Sequence, residues 1–177
     1  MLFGTPAKLP DGRYFLKLSQ DDKSRILHQL NNVTYGDVVV VPKESALLFS
    51  EIDEHIIAQA KASKVEWFGK EISDETVVSA YQKSLNPELE LSASLAKVKG
   101  KVVTAFYDTQ KTPIETIESG TKVDLLVELI GIVFMKRTFE PVWNVLQVRV
   151  RAEPKPKIPR EYMFKDDPVE EEEEVDL

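Results

Sequence analysis

A mainly β (α+β) domain with a helical insertion is the fold class this sequence predicts, and three observations predict it. Apolar and polar residues alternate in short runs in both the first and the last thirds of the chain, the period of half-buried strands. Between them, from residue 51 to about 86, the apolar spacing changes to that of helices. The chain of 177 residues is long enough for one sizeable core. Its last twelve residues, DDPVEEEEEVDL, hold eight acids and no base, and a block of like charge repels itself into a solvated form rather than joining that core.

The elements follow in order. Arg13 to Leu18 alternates with Tyr14, Leu16 and Leu18 on one side, and Ile26, His28 and Leu30 alternate with Leu27, Gln29 and Asn31. Gly36-Asp37 reads as a turn into the β-branched run Val38 to Val41, which Pro42 ends; Ala46 to Phe49 reads as a further short strand. Ser50 is placed as an N-cap with Asp53 at the reciprocal capping-box position. Ile52, Ile56, Ile57 and Ala60 then predict an amphipathic helix over 51–64, which Trp67-Phe68-Gly69 interrupts. Ser73, with Asp74 and Glu75 at the positive end of the dipole, caps a second helix striped by Val77, Val78, Tyr81 and Leu85, and Asn86-Pro87 stops it. Strands resume at Leu89 to Leu95 and at Val102 to Tyr107. Asp108 to Pro113 is a polar loop and Ser119-Gly120 a turn. Residues 122–135 predict a long strand with a bulge or kink at Gly131, and Val142 to Val150 the last one. Many short strands with one or two helices predict a small OB-fold-like barrel over residues 1–152 with a two-helix insertion near 51–86. Residues 153–165 are expected to be a Pro/basic linker and 166–177 a disordered acidic tail.

Composition excludes several chemistries. There is no cysteine, so disulfides, thiolate catalysis and Cys-ligated zinc are ruled out, which fits an intracellular setting. The N-terminal MLFGTPAKLPDG lacks a basic region leading into an apolar one, so no secretion signal is expected, and no apolar run approaches the roughly 18–20 residues needed to cross a bilayer, so no membrane association is expected. His28 and His55, the two histidines, have no ligand spacing between them. Neither a Walker motif, a Gly-rich fingerprint, a nucleophile elbow nor an HExxH word occurs. Asp21-Asp22 and Asp53-Glu54 read as capping acids rather than magnesium ligands. No enzyme activity, cofactor or metal is expected.

Charge is distributed in a way that bears on partners. The chain has 23 Lys+Arg and 30 Asp+Glu, so residues 1–165, with 23 bases and 22 acids, are near neutral without the tail. Residues 97–160 hold twelve bases against seven acids, whereas residues 1–96 hold ten against fourteen. In an extended segment Lys97, Lys99 and Lys101 point the same way, and Trp143, Val145, Gln147, Arg149 and Arg151 share one face of the last strand. A face combining cations, an amide and a flat ring is what single-stranded nucleic acid asks for, since cations follow phosphates and rings stack on bases. Phe106, Tyr107 and Phe139 are further candidate stackers, and Lys136 and Arg137 further candidate cations. Trp143 is open between a core residue, favoured by its size, and a stacking platform.

Two segments carry a family resemblance. One spans Phe49 to Leu85 and contains IDEHIIAQAKASKVEWFGKEIS; the other is VDLLVELIGIVFMKRTFEPVWNVLQVRV, Val123 to Val150. Together they resemble the single-stranded DNA-binding proteins of nucleo-cytoplasmic large DNA viruses, which are similar in turn to those of podovirus-type phages. The segment ending Trp67-Phe68-Gly69-Lys70 resembles the family's insert. Gly131-Ile132 followed by Phe139, Trp143 and Gln147-Val148 resembles its closing hairpin. The resemblance implies an OB fold and sequence-tolerant binding of single-stranded DNA in replication and recombination. It also implies an acidic C-terminus that competes with DNA and recruits polymerase, helicase or primase, and a location at replication sites in host cytoplasm or nucleus. That partner-binding tail comprises Asp166, Asp167, Glu170, Glu171, Glu172, Glu173, Glu174, Val175, Asp176 and Leu177, with Val175 and Leu177 as apolar anchors. Two other readings stand beside this one: a structural or assembly module with a solubilising tail, and an RNA-binding accessory of transcription. The oligomeric state is open between monomer and homodimer.

Overall fold

The computed structural model describes residues 1–152 and 161–167. In chain order the elements are β1 (Leu2–Phe3), β2 (Ala7–Lys8), β3 (Tyr14–Ser19), β4 (Ile26–Thr34), β5 (Val39–Val40), α1 (Lys43–Ala62), α2 (Lys64–Phe68), α3 (Asp74–Ala80), β6 (Glu90–Leu91), β7 (Ala93–Leu95), β8 (Lys97–Val98), β9 (Lys101–Val102), β10 (Ala105–Tyr107), β11 (Pro113–Ile114), β12 (Lys122–Phe134) and β13 (Phe139–Val150). The mainly β reading with a helical insertion therefore holds. The sheet, however, is not closed into a barrel. Its pairing path runs β1-β3-β12-β13-β10-β11 without β1 meeting β11, and β5–β6 and β8–β9 form separate two-stranded ribbons.

The spine is the β12–β13 hairpin, antiparallel from Val123↔Val150 to Phe134↔Phe139. Its apolar residues supply much of the core: Val123, Leu125, Val127, Leu129 and Ile132 from one strand, and Phe139, Trp143, Val145 and Val148 from the other. Two strands share the other edge of β12. β4 pairs with Lys122 to Leu129, and β3 pairs with Gly131 to Phe134. The exchange falls on Ile130, the extra residue of a bulge opposite the Trp143/Val142 step. Gly131 is required by close approach: a Cβ there would lie 2.3 Å from Phe15 Cζ and 2.4 Å from Leu16 O.

The insertion departs from expectation at its start. α1 begins at Lys43, directly after Pro42 in the N-cap position, so Ala46 to Phe49 is helical rather than a strand. Proline tolerates this place because the first turn has no use for its missing N–H. Ser50 and Asp53 are consequently inside the helix and form no capping box. Asp53 instead joins Phe49, Ile56 and Ala60 on the buried face. There its carboxylate accepts hydrogen bonds from the Tyr81 hydroxyl, the Ser84 N–H (3.1 Å) and the Ser84 hydroxyl (2.8 Å), while Ser84 Oγ accepts from Trp143 Nε1 (3.0 Å). Burial outweighs these bonds and holds the Asp53 carboxyl above its ordinary value. α2 stops at Gly69, whose φ of 74° is the left-handed C-cap that glycine favours. Ser73 does cap α3, accepting from Thr76 N–H at 3.1 Å. That helix ends at Ala80, short of the expected Asn86-Pro87, because Tyr81 bridges to Phe139 and Gln82 N–H donates to the Phe139 carbonyl.

Candidate nucleic-acid interface

Register places a set of polar side chains on the sheet face away from the core. Leu126 of β12 lies between Gln29 of β4 and Gln147 of β13. Two residues away, hence on the same face, Asp124 lies beside Arg149, which lies beside Tyr107 of β10. Four neighbouring strands thus line a cleft of about 260 Å³ formed by Gln29, Tyr107, Lys111, Asp124, Leu125, Leu126, Gln147 and Arg149. Lys111 reaches it from the β10–β11 turn, where it adopts a φ of 64°. The Asp108 carboxylate, accepting from the N–H groups of Gln110 (2.8 Å) and Thr112 (2.9 Å), fixes that turn. The cleft offers an apolar floor, one flat ring, two amides and two cations.

Asp124 organises its cationic side. The residue is only 6% exposed, and Arg149 donates to its Oδ2 from Nε (3.1 Å) and Nη2 (2.6 Å). Arg151 Nη1 donates to Oδ1 at 2.8 Å, as does the Asn32 N–H at 3.0 Å. Asn32 is the extra residue of a bulge in β4, with φ of 56°, a conformation asparagine adopts more readily than most residues. Burial pushes the Asp124 carboxyl up, but the donors of Arg149, Asn32 and Arg151 together with the attraction of Arg149 hold it below the ordinary carboxylate value.

Several sequence-predicted residues fall elsewhere, each for a physical reason. Trp143 and Phe139 are each 1% exposed: Trp143 packs 4.9 Å from Phe49, and Phe139 stacks at 5.7 Å on Phe134. Neither ring is open to a base. Phe106 is buried edge-on to Tyr35. The expected common face of Trp143, Val145, Gln147, Arg149 and Arg151 is split by a second bulge. Val127 pairs with Val145 while Leu126 pairs with Gln147, so Leu146 is extra and the alternation inverts across it. Trp143 and Val145 turn to the core; Gln147, Arg149 and Arg151 turn outward.

The lysine triplet is likewise redistributed. Lys99 (φ 50°) and Gly100 (φ 80°) form the turn of the β8–β9 hairpin. Lys97 pairs with Val102 and Lys101 with Val98, so Lys97 and Lys101 lie on opposite faces. All three lysines are exposed, together with Val98, Val102 and Val103. The hairpin leaves the β13 edge between β7, which pairs as far as Val145, and β10, which begins opposite Gln147. It therefore flanks the cleft. At its base Thr104 Oγ1 accepts from Ala96 N–H (2.8 Å) and donates to the Val145 carbonyl (2.6 Å). Lys136 and Arg137 are exposed in the β12–β13 turn, at the far end of the spine, about 40 Å along the strand from Arg149. Gln29, Lys111 and Asp124 were not singled out from sequence. The alternation in β4 marked Gln29 as outward, and Asp124 is one of two acids, with Glu128, in the otherwise mostly apolar β12; their meeting depends on register. In the tail, Asp166 and Asp167 are exposed and Asp166 accepts from the Tyr162 hydroxyl, whereas Glu170, Glu171, Glu172, Glu173, Glu174, Val175, Asp176 and Leu177 lie outside the described residues, as do 153–160 of the linker.

No curated protein matches the chain. Among solved structures it is similar to the single-stranded DNA-binding protein from bacteriophage Enc34 in complex with ssDNA, at 16% identity and a TM-score of 0.44, covering 86% of this chain and 97% of that one. The C-terminal truncation of the Enc34 protein gives 16% and 0.41, covering 86% and 96%. A further structure of the Enc34 protein gives 15% and 0.41, covering 94% and 97%. Residues 28–166 match the profile described as "Family of unknown function (DUF5871)", and the chain belongs to that family.

Proposed function

We propose that this protein is a sequence-tolerant single-stranded DNA-binding protein whose strand crosses the outer face of β4, β12, β13 and β10. The observation that carries the reading is the cleft, where Tyr107, Gln29 and Gln147, Lys111 and Arg149 meet on one open sheet face. Tyr107 offers a stacking surface to a base, the two glutamines offer both donors and acceptors to base edges, and the cations donate to backbone phosphates. Arg151 extends the cationic side just past the end of β13, and the exposed lysines of the flanking hairpin, Lys97, Lys99 and Lys101, add positive charge beside the cleft. A single strand can lay its bases on such a face, whereas the bases of a duplex are stacked away from it. The resemblance of Val123 to Val150 to viral single-stranded DNA-binding proteins supports the same reading, and with it a role in replication or recombination. On this view the acidic residues 166–177 compete with DNA for the cationic face and recruit replication proteins when DNA displaces them.

Fluorescence anisotropy with labelled oligo(dT), duplex DNA and oligo(U) of equal length, at two salt concentrations, tests the proposal. Preference for oligo(dT) over duplex is expected. Its salt dependence should be about 0.7 log units of affinity per log unit of salt for each phosphate contacted. Absence of oligo(dT) binding at low salt would overturn the reading and leave the assembly-module alternative; tighter oligo(U) binding would assign the face to RNA. Deleting 166–177 should tighten DNA binding, and unchanged affinity would remove the competing role of the tail.

A further inference from the structure

We infer that Asp124 is the positioning residue of a preformed phosphate site, its single carboxylate holding Arg149 and Arg151 together for one phosphodiester of a bound strand. This rests on the single-strand-binding reading and deepens it. A nearly buried acid near the start of a long, mostly apolar strand is not what stability alone selects, since apolar replacements of such ion pairs are often neutral or stabilising. Both carboxylate oxygens are used within the protein: Oδ2 by the fork of Arg149, Oδ1 by Arg151 and the Asn32 N–H. Asp124 is thereby spent as a ligand group and acts only through the arginines.

The arginines are not spent. Arg149 gives Asp124 its Nε and one Nη2 hydrogen and Arg151 one Nη1 hydrogen, out of five N–H donors on each guanidinium. Their side chains are 49% and 42% exposed. Two guanidinium groups held this close repel one another; the attraction of each to the carboxylate between them offsets that repulsion and leaves the group of three with one net positive charge. That charge matches the single negative charge of a phosphodiester, and planar guanidinium forks suit its paired oxygens. Arg149 lines the cleft beside Tyr107 and Lys111, so a phosphate seated there belongs to a nucleotide whose base can reach the ring.

Substituting Asp124→Asn separates positioning from simple charge. It makes the face more positive, so charge alone predicts tighter binding of oligo(dT), whereas loss of positioning predicts weaker binding. We expect a loss of about tenfold, the order of one well-aligned charge-assisted contact. Arg149→Lys keeps the charge and loses the fork. It should bind more weakly than wild type, toward the affinity of Arg149→Ala, and the Asp124→Asn, Arg149→Lys double variant should lose less than the product of the two single losses, because part of the effect of Asp124 runs through Arg149. Oligo(dT) affinity equal to or tighter than wild type in Asp124→Asn overturns the inference. So does an Arg149→Lys that binds as wild type, which keeps the test decisive if Asp124→Asn fails to fold. Displacement of oligo(dT) by inorganic phosphate beyond that of chloride at equal ionic strength would assign the site to a free anion and overturn the phosphodiester assignment. Failure of the wild-type protein to bind oligo(dT) sinks the functional reading itself, a distinct result.

Discussion

Gly131→Ala is the substitution for which geometry gives the sharpest expectation. The added methyl would sit 2.3 Å from Phe15 Cζ and 2.4 Å from Leu16 O. Phe15 can swing its ring aside, but Leu16 O is backbone and cannot. Carbon contacts relax only near 3.5 Å, so β3 must retreat by about 1 Å. The affected pairing runs Gly131↔Lys17, Ile132↔Leu16, Val133↔Phe15 and Phe134↔Tyr14. A 1 Å retreat breaks the nearest ladder bonds, worth about 0.5–1.5 kcal/mol each, and overpacking adds about 1–3 kcal/mol. Against this, alanine recovers roughly 0.5–1 kcal/mol of the entropy that glycine loses on folding. The net loss is about 2–4 kcal/mol, equivalent to roughly 5–15 °C in Tm for a chain of this size. Urea titrations followed by tryptophan fluorescence measure it as a lower midpoint at constant slope. Affinity for oligo(dT) should be unchanged, because the cleft lies across the Ile130 bulge. A loss below about 0.5 kcal/mol would refute the claim that close approach of β3 demands glycine here.

Other expectations are equally concrete. Tyr107→Ala should weaken oligo(dT) binding by about 1–3 kcal/mol with duplex binding unmoved, and Tyr107→Phe should retain it; equal affinity in the alanine variant would remove Tyr107 as a stacking surface. Trp143→Ala should lower unfolding free energy by about 3–5 kcal/mol, while the folded fraction binds as wild type; a selective loss of binding would return Trp143 to the interface. Asp53, its pKa raised by burial, contributes stability that is fully present below the unfolded value near 3.9 and is lost as pH rises through the higher folded value. Asp53→Asn should flatten the stability–pH curve above about pH 4, and an undiminished slope would place the titration elsewhere. Asp124 has the opposite sign, its contribution being present above the unfolded value and lost as pH falls through the depressed folded one.

The parts of the fold legible in sequence are those whose period is long and unbroken. β12 and β13, thirteen and twelve residues of mostly apolar alternation, declare themselves. The start of α1 does not, because Pro42 after a β-branched run reads equally well as the end of a strand or as a helix N-cap, and only the burial of Phe49 decides. In the site, cations and outward amides were visible as residue types. Their grouping was not, since a bulge such as that at Leu146 shifts facing by one residue without leaving a compositional mark. The lysine triplet misled for a related reason: Lys99-Gly100 turns the chain back on itself, and alternation does not carry across a reversal.

Thr104 has a consequence for engineering. By closing Ala96 and the Val145 carbonyl over one hydroxyl, it seals the point where the lysine hairpin departs, so the sheet is complete without anything beyond that seam. The excursion from Lys97 to Val102, closed by the Val103 N–H donating to the Ala96 carbonyl at 2.8 Å, is therefore a cassette. It can be shortened, lengthened or exchanged for a reporter loop while the strands that build the cleft keep their places, which makes its lysines removable as a set from an otherwise intact scaffold.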